Sequence, residues 1–134
     1  MAKKKRYKTK LKKYVKRFDD KGQELPYYTK IEDCKKWFNI INQEMFRSKL
    51  PLVEDWDIRW RRRAWAWYAF DYNKTGELVC QILMNKKYKS KKFFLEVLSH
   101  EMVHHWQAHN NAPIGHGPCF NEWKESFKKR GLKI

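Results

Sequence analysis

Residues 98 to 120 read LSHEMVHHWQAHNNAPIGHGPCF and hold all five histidines of a 134-residue chain. Within them, His100-Glu101-Met102-Val103-His104 fits the pattern H-E-x-x-H. Phe94, Val97, Leu98, Met102 and Trp106 recur at helical spacing, which predicts a helix over residues 91 to 109. On a helix, positions i and i+4 lie about 40° apart around the axis. The imidazoles of His100 and His104 then project from one side, one turn apart, as two ligands of a single zinc ion must. Glu101 is offset by about 100°. It can stand beside the ion without binding it, take a proton from an attacking water and hand it to a leaving amine.

The third ligand has to come from later in the chain. The spacing H-E-x-x-H-x-x-G-x-x-H would place a histidine at position 110, which is Asn110. Three candidates remain. His116 stands between Gly115 and Gly117, where the backbone is free to turn back toward the helix, and it ranks first. Glu122, in NEWKE, and Cys119 follow. His105 and His109 are rotated by roughly 140° and 180° from His100. Both read as surface or supporting histidines, with His105 a candidate for stabilising an oxyanion. Three protein ligands leave a fourth position for water, as catalytic zinc sites do, whereas adding Cys119 would close a structural site.

Outward from this stretch, a last helix starts at Pro118, with Phe120, Trp123 and Phe127 on one face and Gly131 as a left-handed cap. Upstream, TKIE (29–32) reads as a capping box that opens a helix over residues 30 to 47, ended by SKLP. Between them, WDIRWR (56–61), AWAWYAF (64–70) and LVCQILM (78–84) read as strands, with NKTGE (73–77) as a turn. They suggest a small three-stranded antiparallel sheet whose last two strands form a hairpin. The strand over 78 to 84 is a candidate to hold an extended substrate as an added strand. The fold class is therefore α+β: an N-terminal helix, a small sheet, the H-E-x-x-H helix and a C-terminal helix, in one domain over residues 26 to 134.

Lys and Arg number 31 against 15 acidic residues, a net charge of +16. A field of that sign favours polyanions, namely DNA, RNA or an anionic membrane surface, and nucleic acid is preferred because part of the charge is concentrated in one arm. Residues 1 to 25 form a basic arm with too few apolar residues to build a core. It reads as flexible, with Lys3, Lys4, Lys5 and Arg6 contacting phosphate. Arg61, Arg62 and Arg63 are further candidates. Trp65 and Trp67 have two readings: stacking on nucleic acid, or packing in the sheet core with the arginines on the open face. Alternation with alanine favours the core. Cys34, Cys80 and Cys119 are far apart and form no C-x-x-C pair, which excludes a cysteine zinc ribbon and suits a reducing compartment. No apolar h-region follows the basic N-terminus, and no apolar run is long enough to span a bilayer. The expectation is a monomeric, cytoplasmic protein associated with DNA, in the host cytoplasm if phage-encoded.

HEMVHHWQ…GHGPCFNEW resembles the SprT-like zinc metalloprotease domain, which is also found in the Spartan DNA–protein crosslink proteases. The matching positions are His100, Glu101, His104 and His116, followed by Gly117, Phe120 and Trp123. FNIINQEMFRSKLP is similar to the family's first helix, with its N-x-x-x-F and L-P elements, and RGLKI to the end of the domain. The resemblance covers about residues 27 to 134. It implies a zincin-like fold, zinc as cofactor, peptide hydrolysis with Glu101 as general base, and protein substrates on DNA. The zinc ribbon that follows the domain in many members is absent, so the basic arm is expected to take over DNA binding. The rival expectation is a non-enzymatic nucleic-acid-binding module with a structural zinc.

Overall fold

The first long helix, α1 (Ile31–Met45), buries Cys34, Trp37, Phe38, Ile41 and Asn42, a spacing of three and four that lays one stripe on the core. The structure, a computed structural model, describes residue 11, residues 13–17 and residues 25–134. Around α1 the chain runs through β1 (Tyr27–Tyr28), β2 (Asp55–Ile58), β3 (Ala66–Tyr72), β4 (Leu78–Met84) and β5 (Lys87–Tyr88). It ends in α2 (Lys91–His109) and α3 (Pro118–Lys128). The architecture is α+β, compatible with a small zincin-like SprT fold. Among the described residues, no helix is long and apolar enough to cross a membrane.

The sheet differs from the expected antiparallel arrangement in one pairing. Its order is β2-β4-β3. β3 and β4 form the expected antiparallel hairpin, but β2 runs parallel to β4, with Trp56 opposite Ile82. Alternating apolar residues identify strands but not their order. Here the chain crosses from β2 to the far edge before the hairpin returns β4 to the middle. β4 is therefore hydrogen-bonded along both edges, and no edge remains on it for an added substrate strand.

The capping box also differs. Lys30 occupies the N-cap of α1 and no side chain caps it. Thr29 instead donates its hydroxyl to the Asn85 carbonyl at 2.6 Å, fixing β1 beside β5. A distant backbone carbonyl has claimed the hydroxyl that the box would have turned toward the local Glu32 amide. At the other end of α1, the buried Asn42 side chain pairs with both backbone groups of Leu50, at 3.0 and 3.1 Å. That bond closes a turn in which Arg47 and Ser48 hold positive φ.

The basic arm has too few apolar residues to build a core of its own, yet two of them join the core of the domain. Among its described residues, 11 and 13–17 are helical, and Leu11 and Val15 are 0% and 2% exposed. Lys13, Lys16 and Arg17 stay on the outside. The four-residue spacing of Leu11 and Val15 is enough for a narrow apolar stripe. Val15 packs close to Gly131, which holds φ +85°; a Cβ there would lie 3.0 Å from Val15 Cγ1. The left-handed cap expected at Gly131 is thus joined to a close approach: a side chain there would crowd Val15 as well as strain the backbone.

Candidate metal centre

α2 is opened by Ser90, whose hydroxyl accepts the Phe93 N–H at 3.1 Å. Leu95, Leu98, Met102 and Val103 anchor the helix in the core, leaving His100 and His104 half-buried along its flank. The chain then reverses. The Ala112 N–H returns to the Gln107 carbonyl at 3.0 Å, and Asn111 and Gly115 adopt positive φ. This reversal brings His116 back to the helix.

The result is a cluster of three imidazoles. His116 Nε2 lies 3.1 Å from His100 Nε2, and His104 Nε2 lies 3.3 Å from the same atom. A tetrahedral ion with metal–nitrogen bonds of about 2.0–2.1 Å would set its ligand nitrogens about 3.3 Å apart. The three side chains therefore fit one metal ion, with all ligand atoms within 4.8 Å of one another. Phe120, on α3, backs all three rings at centroid distances of 4.8, 5.4 and 4.8 Å. Trp123 ties α3 to Trp106 and to Phe46, so the wall behind the cluster belongs to the core.

Electrostatics keep the ligands in the form a metal needs. Burial pushes the His100 imidazole down to about 4, helped by His104, His116 and Lys124 nearby. Burial also lowers His104. Both shifts favour the neutral imidazole, the form whose lone pair can bind a metal. Beside them Glu101 is 7% exposed, and burial alone raises its carboxyl to about 7.

Sequence profiles agree with the geometry. Residues 34–134 match the SprT-like family. The chain belongs to that family. No curated protein and no solved structure matches the chain.

In this SprT-like domain, the described residues that can share one ion are His100, His104 and His116. Cys119 is partly buried and Glu122 is exposed, and neither joins the group. His105 is neither a surface residue nor an oxyanion donor. It is fully buried, its Nε2 donates to the Pro51 carbonyl at 2.7 Å, and its Nδ1 accepts from the Tyr68 hydroxyl at 2.8 Å. Both ring nitrogens are committed, and burial holds the imidazole down near 4. His109 is partly buried and donates back to the His105 carbonyl at 3.0 Å.

Sequence reasoning missed Gln107. It is 1% exposed and bonds His104 Nδ1 at 2.8 Å and both backbone groups of Gly115 at 3.1 and 3.3 Å. The signal available was its position three residues after His104, on the same helical face.

A cleft of about 330 Å³ opens beside His100 and Glu101 of the SprT-like domain. Trp65, Ala66, Phe93 and Val97 supply most of its apolar wall, and Glu96 lies in it. Trp65 and Ala64 also line a second hollow, with Trp60, Arg61, Arg62 and Arg63. Here the preferred reading of the tryptophans fails. Trp65 and Trp67 are 52% and 55% exposed, as is Trp60 at 63%, while Ala66 and Tyr68 face the core instead. The alternation is real, but the other set of residues points inward, because small Ala66 fits against the packed helix.

Arg61, Arg62 and Arg63 are exposed, and the Arg61 guanidinium lies 5.5 Å from the Trp67 ring. The loop carrying them is held from beneath. Asn85 Nδ2 donates to the Arg61 and Ala64 carbonyls, each at 3.0 Å, and the Tyr88 hydroxyl donates to the Trp65 carbonyl at 2.6 Å. Lys3, Lys4, Lys5 and Arg6 lie outside the described residues.

Proposed function

We propose that this SprT-like domain is a zinc-dependent peptidase acting on proteins bound to nucleic acid. The observation that carries the reading is the convergence of three imidazoles beside the buried Glu101 at the head of an apolar cleft. Zinc bound there by His100, His104 and His116 would supply an activated water and polarise the scissile carbonyl. Glu101 takes one proton from the attacking water and passes it to the amide nitrogen as the C–N bond breaks. Phe120 keeps the rings in place and excludes solvent from their rear. The side chain next to the scissile bond rests against Trp65, Phe93 and Val97. The substrate backbone extends along β3, whose outer edge is unpaired among the described residues.

Nucleic acid as the platform is supported by the +16 charge and by the exposed Trp60, Arg61, Arg62, Arg63, Trp65 and Trp67. Arginines meet phosphates and indoles stack on unpaired bases. Because Trp65 borders both hollows, a protein held on that surface lies next to the cleft. Cytoplasmic location and a monomeric state complete the proposal.

The test is cleavage of a DNA-bound protein with and without the DNA. Glu101→Gln should keep the metal and lose cleavage by about 10²-fold or more. Unchanged cleavage in that variant defeats the role given to Glu101. Metal binding without any cleavage in the wild type would favour the rival reading, a nucleic-acid-binding module with a structural metal.

A further inference from the structure

Gln107 touches neither the cleft nor the ion-facing nitrogens, yet its side chain bonds both to His104 on the helix and to the backbone that carries His116. Its partners settle its orientation. The Gly115 carbonyl can only accept, so the Gln107 atom facing it at 3.1 Å is the amide nitrogen. The Gly115 N–H can only donate, so the atom facing it at 3.3 Å is Oε1. That same Oε1 faces His104 Nδ1 at 2.8 Å. An oxygen with no hydrogen to give requires His104 Nδ1 to carry the proton. The lone pair of His104 is then on Nε2, the atom 3.3 Å from His100 Nε2.

We infer that Gln107 is a positioning residue that ties the metal-binding tautomer of His104 to the closed position of the His116 loop. Gly115 immediately precedes His116, and its φ of +143° is one that side chains rarely adopt. The carboxamide reads both backbone groups of that glycine and transmits their direction to the imidazole. When the loop is docked, His104 presents Nε2 and His116 is in reach. When it is not, the amide is free to rotate and either His104 tautomer is allowed. The helix ligand and the loop ligand thus become competent together. The backbone of Gln107 acts in the same sense, since its carbonyl holds the Ala112 N–H at the start of the loop.

This inference rests on the metal-site reading but not on peptidase activity, and two measurements keep them apart. The first is the His104 tautomer in metal-free protein, read from imidazole ¹⁵N shifts in ¹⁵N-histidine-labelled protein. The second is Zn²⁺ affinity by chelator competition. In the wild type, His104 should be the Nδ1–H tautomer. Gln107→Leu should mix the tautomers and weaken Zn²⁺ binding by about 10–100-fold. Gln107→Glu keeps an acceptor for Nδ1–H but loses the donor to the Gly115 carbonyl. It should retain the wild-type tautomer while still weakening Zn²⁺ binding, because the loop is released. A purely structural role would not separate the two variants in this way. An Nε2–H tautomer in the wild type, or a Gln107→Leu protein with wild-type tautomer and affinity, overturns the inference. If Gln107→Leu does not fold, Gln107→Glu decides: wild-type Zn²⁺ affinity in that variant overturns it equally. A wild type that takes up no Zn²⁺ defeats the metal reading, while the metal-free tautomer still decides the part assigned to Gln107.

Discussion

The Tyr68 hydroxyl on β3 donates to His105 Nδ1 on α2 at 2.8 Å, and the opposite nitrogen of that ring donates to the Pro51 carbonyl. One imidazole therefore joins the edge strand, the helix that carries His100 and His104, and the loop after α1. Removing one partner leaves a buried acceptor unmet. Tyr68→Phe should lower unfolding free energy by about 1–3 kcal/mol, measured by urea denaturation, with metal stoichiometry unchanged.

Metal and fold should be linked. A ligand that binds only the folded state adds about 2.7 kcal/mol at 100 times its Kd. Chelation should lower the Tm of the wild type. His116→Ala should start near the chelated value and respond little to further chelator. An equal response in both proteins would place the ion elsewhere.

The short helix in the basic arm can be weighed by truncating its buried side chain. Leu11→Ala should destabilise the fold by about 2–5 kcal/mol, the range for large-to-small changes in a core. A charge-only arm predicts no change. Lys13→Ala, at an exposed position on the same helix, is the control and should stay within about 0.5 kcal/mol.

Asn85 supports the arginine–tryptophan loop without contributing charge. Asn85→Ala should leave the Arg61 and Ala64 carbonyls without their donor and loosen the platform. Single-stranded DNA affinity should then fall severalfold while the salt dependence keeps its slope. Arg62→Ala should instead reduce that slope by about one phosphate contact. Electrophoretic shifts at two salt concentrations separate the two effects.

Cys34 is fully buried, and burial pushes its thiol from 9.0 up to about 12, with Asp33 adding to the shift. The folded state holds this proton over a range in which the unfolded chain releases it. Stability from this group is therefore complete below pH 9 and is lost as pH rises toward 12. At pH 8, a thiol reagent should modify Cys119 before Cys34 in native protein, and all three cysteines after unfolding. Mass spectrometry of the labelled peptides gives the order.

Legibility in the sequence followed the range of the interactions. The α2 and α3 helices were visible because a packed helix face leaves a local period, and His100, Glu101 and His104 could be placed relative to one another by rotation alone. His116 could be ranked but not located, since its approach depends on Asn111, Gly115 and Gln107 acting across the loop. Pairings between distant segments left no local trace. Thr29 found the Asn85 carbonyl rather than Glu32, and β2 found β4 before β3. Exposure of Trp65 and Trp67 was missed because alternation gives two faces and does not say which one the helix covers. The core role of Leu11 and Val15 was hidden by the lysines around them.

The strand order has a consequence for how the protein is made. β4 is the last of the three strands to be synthesised, yet it occupies the centre, and β2 and β3 have no hydrogen bonds to each other. Until β4 has been made, β2 and β3 lack the strand with which both of them pair. The β3–β4 hairpin can close locally, but the parallel partner must wait, exposed, for that hairpin to arrive. The sheet is closed by its keystone strand, and the histidine helix comes later in the chain, after β5, so every strand it packs against precedes it.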